Sequence, residues 1–251
     1  MESFAAASQV YAGGLIFARV AAIVMLLPGI GDTSVPPRVR LAFAFLMALM
    51  LMPVVARGMA VPPDVSGVAG AVIKELMIGL MIGGILKIFL SSLSTTGEII
   101  SIQTTLAFAQ TAAPGQASPS TTIGTFLGLI GITLIMATDL HHMFLTAIVR
   151  SYAIFPFGRE IPIADSAQLA VQTVAGSFKL GLQLAAPVVV FSLVFNIAAG
   201  LVGRVMPQFQ VFFVATPLIV LLGLSVFALS LGTIGMVWLN RYRELTSLFL
   251  G

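Results

Sequence analysis

The sequence predicts an all-α, polytopic helical membrane protein, and three observations carry that prediction. Of 251 residues, 59% are hydrophobic and 8% charged, whereas a soluble domain carries about 25% charged residues. Mean hydropathy is +1.10. The apolar residues come in long continuous runs, not in the alternation of a transmembrane β-barrel. The chain has no cysteine, which excludes disulfides, thiolate metal sites and cysteine nucleophiles. The net charge of +3 is spread along the chain without a basic run, so nothing points to nucleic acid. The N-terminus, MESFAAASQV, is acidic and lacks the positive region of a cleavable signal. The first apolar segment is therefore expected to stay as a membrane helix.

Taken in order, about six apolar segments approach the ~20 residues that span a bilayer. The first, residues 10–27, carries Arg19 and a small-residue stripe at Gly14, Ala18 and Ala22, and Pro28-Gly29 ends it. A polar turn, GDTSVPPRVR, leads to an uncharged second segment at residues 41–55. The third, residues 68–90, holds Lys74, Glu75 and Lys87 with Gly79-x-x-x-Gly83 on one face, and a polar stretch from Ser91 to Gly97 follows it. The fourth, residues 123–149, begins with Gly124-x-x-x-Gly128 and carries Asp139-Leu-His141-His142 late in its length. The fifth, residues 167–202, contains Lys179 and Pro187; Met206-Pro207-Gln208 breaks it. The sixth, residues 209–239, contains Pro217, and Trp238 and Tyr242 suit an interfacial anchor. Lys and Arg are too evenly placed among the loops to set an orientation.

Between the third and fourth segments lies LAFAQTAAPGQASPSTT, residues 106–122, inside a charge-free run from 99 to 138. Pro114-Gly115 and Ser118-Pro119-Ser120 cannot continue a helix. Non-helical backbone at membrane depth survives only against protein or a watery cavity. The stretch reads either as a re-entrant, pore-lining loop or as an ordinary connection outside the membrane; composition alone favours the latter.

The charges within apolar segments are Arg19, Lys74, Glu75, Lys87, Asp139 and Lys179. Facing lipid at mid-bilayer, each costs ~2.5–3.5 kcal/mol, together on the order of 15 kcal/mol. Most must therefore snorkel, pair, or face protein or water. Adjacent Lys74 and Glu75 point about 100° apart and do not pair with each other. Their partners are expected on other segments or other chains, which suits a subunit of a larger assembly. No nucleophile–base set, P-loop or H-E-x-x-H motif occurs. Asp139, His141 and His142 form the only Asp/His cluster and read as a helix end in polar surroundings rather than a metal site. No catalytic residue, metal or cofactor is expected.

Four places in the chain now bear a family pattern. They are Ser34-Val-Pro36-Pro-Arg38-Val-Arg40 running to Pro53, Gly97-Glu98-Ile-Ile-Ser-Ile-Gln103 running through Leu106 and Phe108 to Pro114, Asp139-Leu-His141-His142 through Ser151 to Pro156, and Asn196-x-x-x-Gly200-x-x-x-Arg204-x-x-Pro207-Gln208 followed by Phe212 and Pro217. In this order and spacing the chain resembles the FliR family, export-gate membrane proteins of the flagellar type III secretion apparatus. The resemblance implies a structural and channel subunit, not an enzyme, of the bacterial inner membrane and flagellar basal body, needed for flagellum assembly and export of axial proteins. It implies a helical ring completed with FliP- and FliQ-like subunits, contact with an FlhB-like switch protein, and transient contact with exported flagellar proteins. It implies bent helical hairpins: a FliP-like part at residues 1–165 joined to a FliQ-like hairpin and short tail at 166–251.

It also turns the reading of the 106–122 loop towards a channel plug, with Leu106, Phe108, Thr111, Pro114 and Gly115 as its residues. Gly79, Gly83, Gly124, Gly128, Asn196, Gly200 and Arg204 are expected at subunit contacts. The chain departs from the family pattern in places. Thr105 stands where Gly is frequent, Ala113 where Asp is, Thr111 where a second aromatic is, and Thr138 to His141 where Asn-Gly-His is common. The rival reading is a secondary transporter, which broken helices and intramembrane charges also fit. It lacks an inverted repeat between the two halves.

Overall fold

The computed structural model describes the chain except residues 1, 33, 57–61, 63, 108–120, 159–162, 207–210 and 248–251, and without the side chains of 2–7, 163, 211, 212 and 247. Its helices are α1 (Glu2–Leu26), α2 (Pro37–Val55), α3 (Val65–Gln103), α4 (Thr122–Ala137), α5 (Leu140–Ile154), α6 (Ile163–Val205) and α7 (Val211–Ser247). No strand occurs among the described residues. α1, α2, α3, α6 and α7 are long and apolar enough to cross a membrane, and α4 with α5, bent by 77° at their junction, make either a broken span or a re-entrant pair. The protein is a multi-pass helical membrane protein.

Local chemistry explains the boundaries. Pro36 and Pro37 open α2, where the missing N–H is no loss. Thr121 caps α4 by accepting from the Gly124 amide at 3.1 Å. α6 and α7 run on through Pro187 and Pro217.

Two expected segments differ from the sequence reading. α3 does not end near residue 90; it continues through Ser91–Gly97 to Gln103. The hydroxyls there turn back onto their own helix: Thr95 donates to the Ser91 carbonyl at 3.1 Å and Thr96 to that of Ser92 at 2.8 Å. Residues that look like a loop thus travel inside a helix with their polar groups satisfied. The fourth segment is not one helix. It breaks at Thr138-Asp139, where Asp139 takes left-handed backbone with φ of 57°.

The contacts group the chain into two units, one of residues 1–89, 139–174 and 244–251, the other of 90–138 and 175–243. In the first, α1 is central: Ile16, Val20, Ile23 and Val24 are fully buried. Phe17 meets Phe45 of α2 edge-on with ring centroids 6.0 Å apart. Gly79 of α3 lies so close to α1 that a Cβ would come within 2.6 Å of the Ala22 Cβ and the Arg19 carbonyl oxygen. In the second unit, Gly97 of α3 crosses the backbone of Gly124 in α4, and Gly131 lies beneath Leu93 and Trp238. Trp238 donates to Ser92 Oγ at 3.1 Å and stacks on Tyr242. Both rings are fully buried, so they are not the interfacial anchor that their position near the end of an apolar run suggests. An indole fits either setting once its N–H has a partner, which Ser92 supplies for Trp238.

Candidate functional site

The most strongly built site lies in the first unit around Arg19, which is fully buried in the C-terminal third of α1. Its Nε donates to Glu75 Oε2 of α3 at 2.5 Å. One terminal nitrogen donates to the Ser151 carbonyl at 3.0 Å and the other to the Phe155 carbonyl at 2.9 Å. Those carbonyls belong to the C-terminal end of α5, where the helix dipole is negative; that of Ser151 also accepts from the Phe155 amide at 2.9 Å. The guanidinium also lies over the Tyr152 ring, 4.1 Å from its centroid, with Phe157 at 5.5 Å. Tyr152 in turn donates to the Ile16 carbonyl at 3.4 Å. One cation thus joins α1, α3 and the end of α5, and each of its three nitrogens donates to an acceptor.

Beside this centre is a cavity of about 760 Å³, bounded by residues of α1, the end of α2, the first turns of α3 and the end of α5. Glu75 and Lys74 both reach it. The other in-segment charges lie elsewhere: Lys87, Asp139 and Lys179 are exposed. The sequence required partners for these groups but could not say which. Arg19 with Glu75 is the pair that the fold assembles, across 56 residues of chain.

The loop at 106–122 is framed rather than described. Phe108, Thr111, Pro114 and Gly115 lie outside the described residues, while Leu106 is half-buried. On its N-terminal side Gln103 Oε1 accepts from Ser192 at 2.8 Å, and the buried Thr104 packs against Gly223 of α7. Thr105 then turns with φ of 60°, a rare conformation for a β-branched residue. On the other side stands the Thr121 cap. Both ends of the loop are held within the second unit.

The small-residue positions divide. Gly79 and Gly83 face α1 of the same chain, and Gly124 faces Thr121 and Ser94. Gly128 has only Ser94 Oγ nearby, at 3.6 Å. Gly200 would meet nothing within 4 Å, and Asn196 and Arg204 one turn either side of it are exposed. Asp139, His141 and His142 have donor atoms within 4.8 Å of one another. Asp139 and His142 are exposed, and the cluster sits at the N-terminus of α5, whose dipole disfavours a cation.

The chain has an all-helical membrane fold, and comparison with known proteins narrows it. The model of the family "Bacterial export proteins, family 1" matches residues 10–245. The flagellar biosynthetic protein FliR of Caulobacter vibrioides is 61% identical over 250 residues, covering 99% of this chain and 100% of that one. FliR of Escherichia coli is 29% identical over 84% of this chain and 80% of its own, and FliR of Bacillus subtilis is 26% identical over 81% and 80%. The chain belongs to the FliR family of bacterial export proteins.

Proposed function

We propose that this chain, as a FliR-type subunit of the flagellar export apparatus, forms part of the gate through which axial proteins leave the cytoplasm, and that it has no catalytic role. The near-complete match to FliR of Caulobacter vibrioides supports this reading most directly. In it the chain sits in the inner membrane at the flagellar basal body. It assembles with FliP- and FliQ-like subunits, contacts an FlhB-like switch protein, and contributes residues 1–165 as a FliP-like part and 166–251 as a FliQ-like hairpin. The exposed stripe of Asn196, Gly200 and Arg204 is a subunit contact, since it is open in the isolated chain and its glycine admits a close neighbour.

The loop at 106–122 is the resting plug. A channel wide enough for an unfolded polypeptide leaks ions unless apolar groups fill it, and one aromatic ring with a few aliphatic groups suffices to keep a constriction dry. Phe108 and Leu106 supply those groups. The loop's ends are held by Gln103, Thr104 and Thr121, outside the residues removed below, so assembly should survive deletion. Removing residues 112–120 is expected to leave the complex intact and to raise small-ion conductance of the membrane, with Phe108→Ala doing less. A deletion complex as tight as wild type in conductance measurements would show that the loop is not the plug.

A further inference from the structure

The cavity beside Arg19 has no part in the export reading, and among the described residues its charge pattern is unbalanced. Arg19 and Glu75 cancel across their 2.5 Å contact. Lys74, half-buried on the adjoining face of α3, makes no ion pair or hydrogen bond among the described residues. The rest of the wall is mostly apolar and aromatic, with Tyr11, Val54, Tyr152 and Phe157 prominent. An ammonium group facing an apolar cavity is poorly solvated, so an anion placed against it is stabilised. The complementary ligand therefore has an apolar body and one anionic group. Around a membrane-spanning chain, the abundant molecule of that kind is an acidic lipid, and basic pockets between membrane helices take acidic headgroups. At about 760 Å³ the cavity has room for part of an acyl chain beside the headgroup contact. The geometry points to a site for one anionic phospholipid, its phosphate at Lys74 and its chain against the Val54–Tyr152 wall.

The test uses the purified export complex, stripped with detergent, reloaded from vesicles holding equal phosphatidylglycerol and phosphatidylcholine, and read by native mass spectrometry. One phosphatidylglycerol per copy of this chain is expected to be retained over phosphatidylcholine. Lys74→Gln should weaken that retention about fivefold. Lys74→Arg should preserve it, and Lys87→Gln, an exposed lysine on the same helix, should leave it unchanged. Ala71→Phe, which narrows the cavity without touching its charge, should also weaken it. Equal retention of the two lipids by the wild type overturns the proposal, as does unchanged selectivity in Lys74→Gln. Displacement by millimolar inorganic phosphate would mark a free-anion site and overturn it too. Complex mass is read in the same spectra, so failure to assemble is seen separately. The wild-type preference decides the question even where a variant does not assemble.

Discussion

α3 and α6 are both about forty residues long, and both are apolar enough to cross a bilayer, yet they live in different surroundings. Over its most apolar stretch α3 is 56% buried within the chain and α6 only 17%. Along α3, Ile78, Ile82, Ile85 and Leu86 are enclosed; along α6, Leu193, Val194, Ile197 and Leu201 are each more than half exposed. Apolarity measures what a helix gains by leaving water. It does not say whether its own chain, lipid or another subunit receives it. Single glycines mark the two extremes: a Cβ on Gly79 of α3 would strike Ala22 and the Arg19 carbonyl of α1, whereas one on Gly200 of α6 would meet nothing within 4 Å.

The sharpest way to break the comparison is at the buried end. Glu75→Ala strands the fully buried Arg19 and is expected to cost about 3–5 kcal/mol of chain stability. The joint replacement of Arg19 by Met and Glu75 by Leu should recover most of that loss, because an apolar pair of similar volume needs no desolvation. Thermal unfolding in detergent checks both. A single variant as stable as Lys179→Ala would mean that the pair does not hold the unit.

A smaller effect separates the two helices through their glycines. Gly79→Ala forces a Cβ to within 2.6 Å of Ala22 and should destabilise the chain itself by about 1–3 kcal/mol. Gly200→Leu, whose Cβ meets nothing within 4 Å, should raise the chain's own helix stability by about 0.5–1 kcal/mol while lowering the yield of complex pulled down with FliP- and FliQ-like partners. If Gly200→Leu assembles normally, the open face of α6 is turned to lipid and not to a subunit.

The smallest expected change is a gain. Thr105 holds φ of 60° beside the loop, a strain of about 1–3 kcal/mol for a side chain of this kind. Thr105→Gly relieves it at an entropic cost of about 0.5–1 kcal/mol, so a net stabilisation near 1 kcal/mol is expected in the same unfolding assay. A loss instead would show that the threonine's packing outweighs its backbone strain.

Much of this was legible in the chain. Long uncharged runs and the Pro/Gly/Ser/Thr-rich stretch announce membrane helices interrupted by a loop, because hydrogen-bonded backbone and lipid leave few alternatives. The family pattern was legible too, and the positive-φ Thr105 falls at one of the positions where the pattern commonly has glycine. The continuation of α3 was not legible, since serine and threonine serve a loop or a helix equally until their hydroxyls find the carbonyl four residues back. Nor did Gly79-x-x-x-Gly83 reveal its neighbour, because a small-residue face says that something approaches closely and not what does.

The sequence by itself determined the class of the protein, its helical, multi-pass nature and the need to neutralise the charges buried in its apolar runs. These follow from composition and local periodicity, which any arrangement of the helices would share. Only the tertiary structure decided that Arg19 meets Glu75 and the end of α5, that Trp238 and Tyr242 are buried, and that Lys74 is left facing a cavity. Those are encounters between residues up to 146 positions apart in the chain, and no local rule fixes which distant partner a buried donor will find.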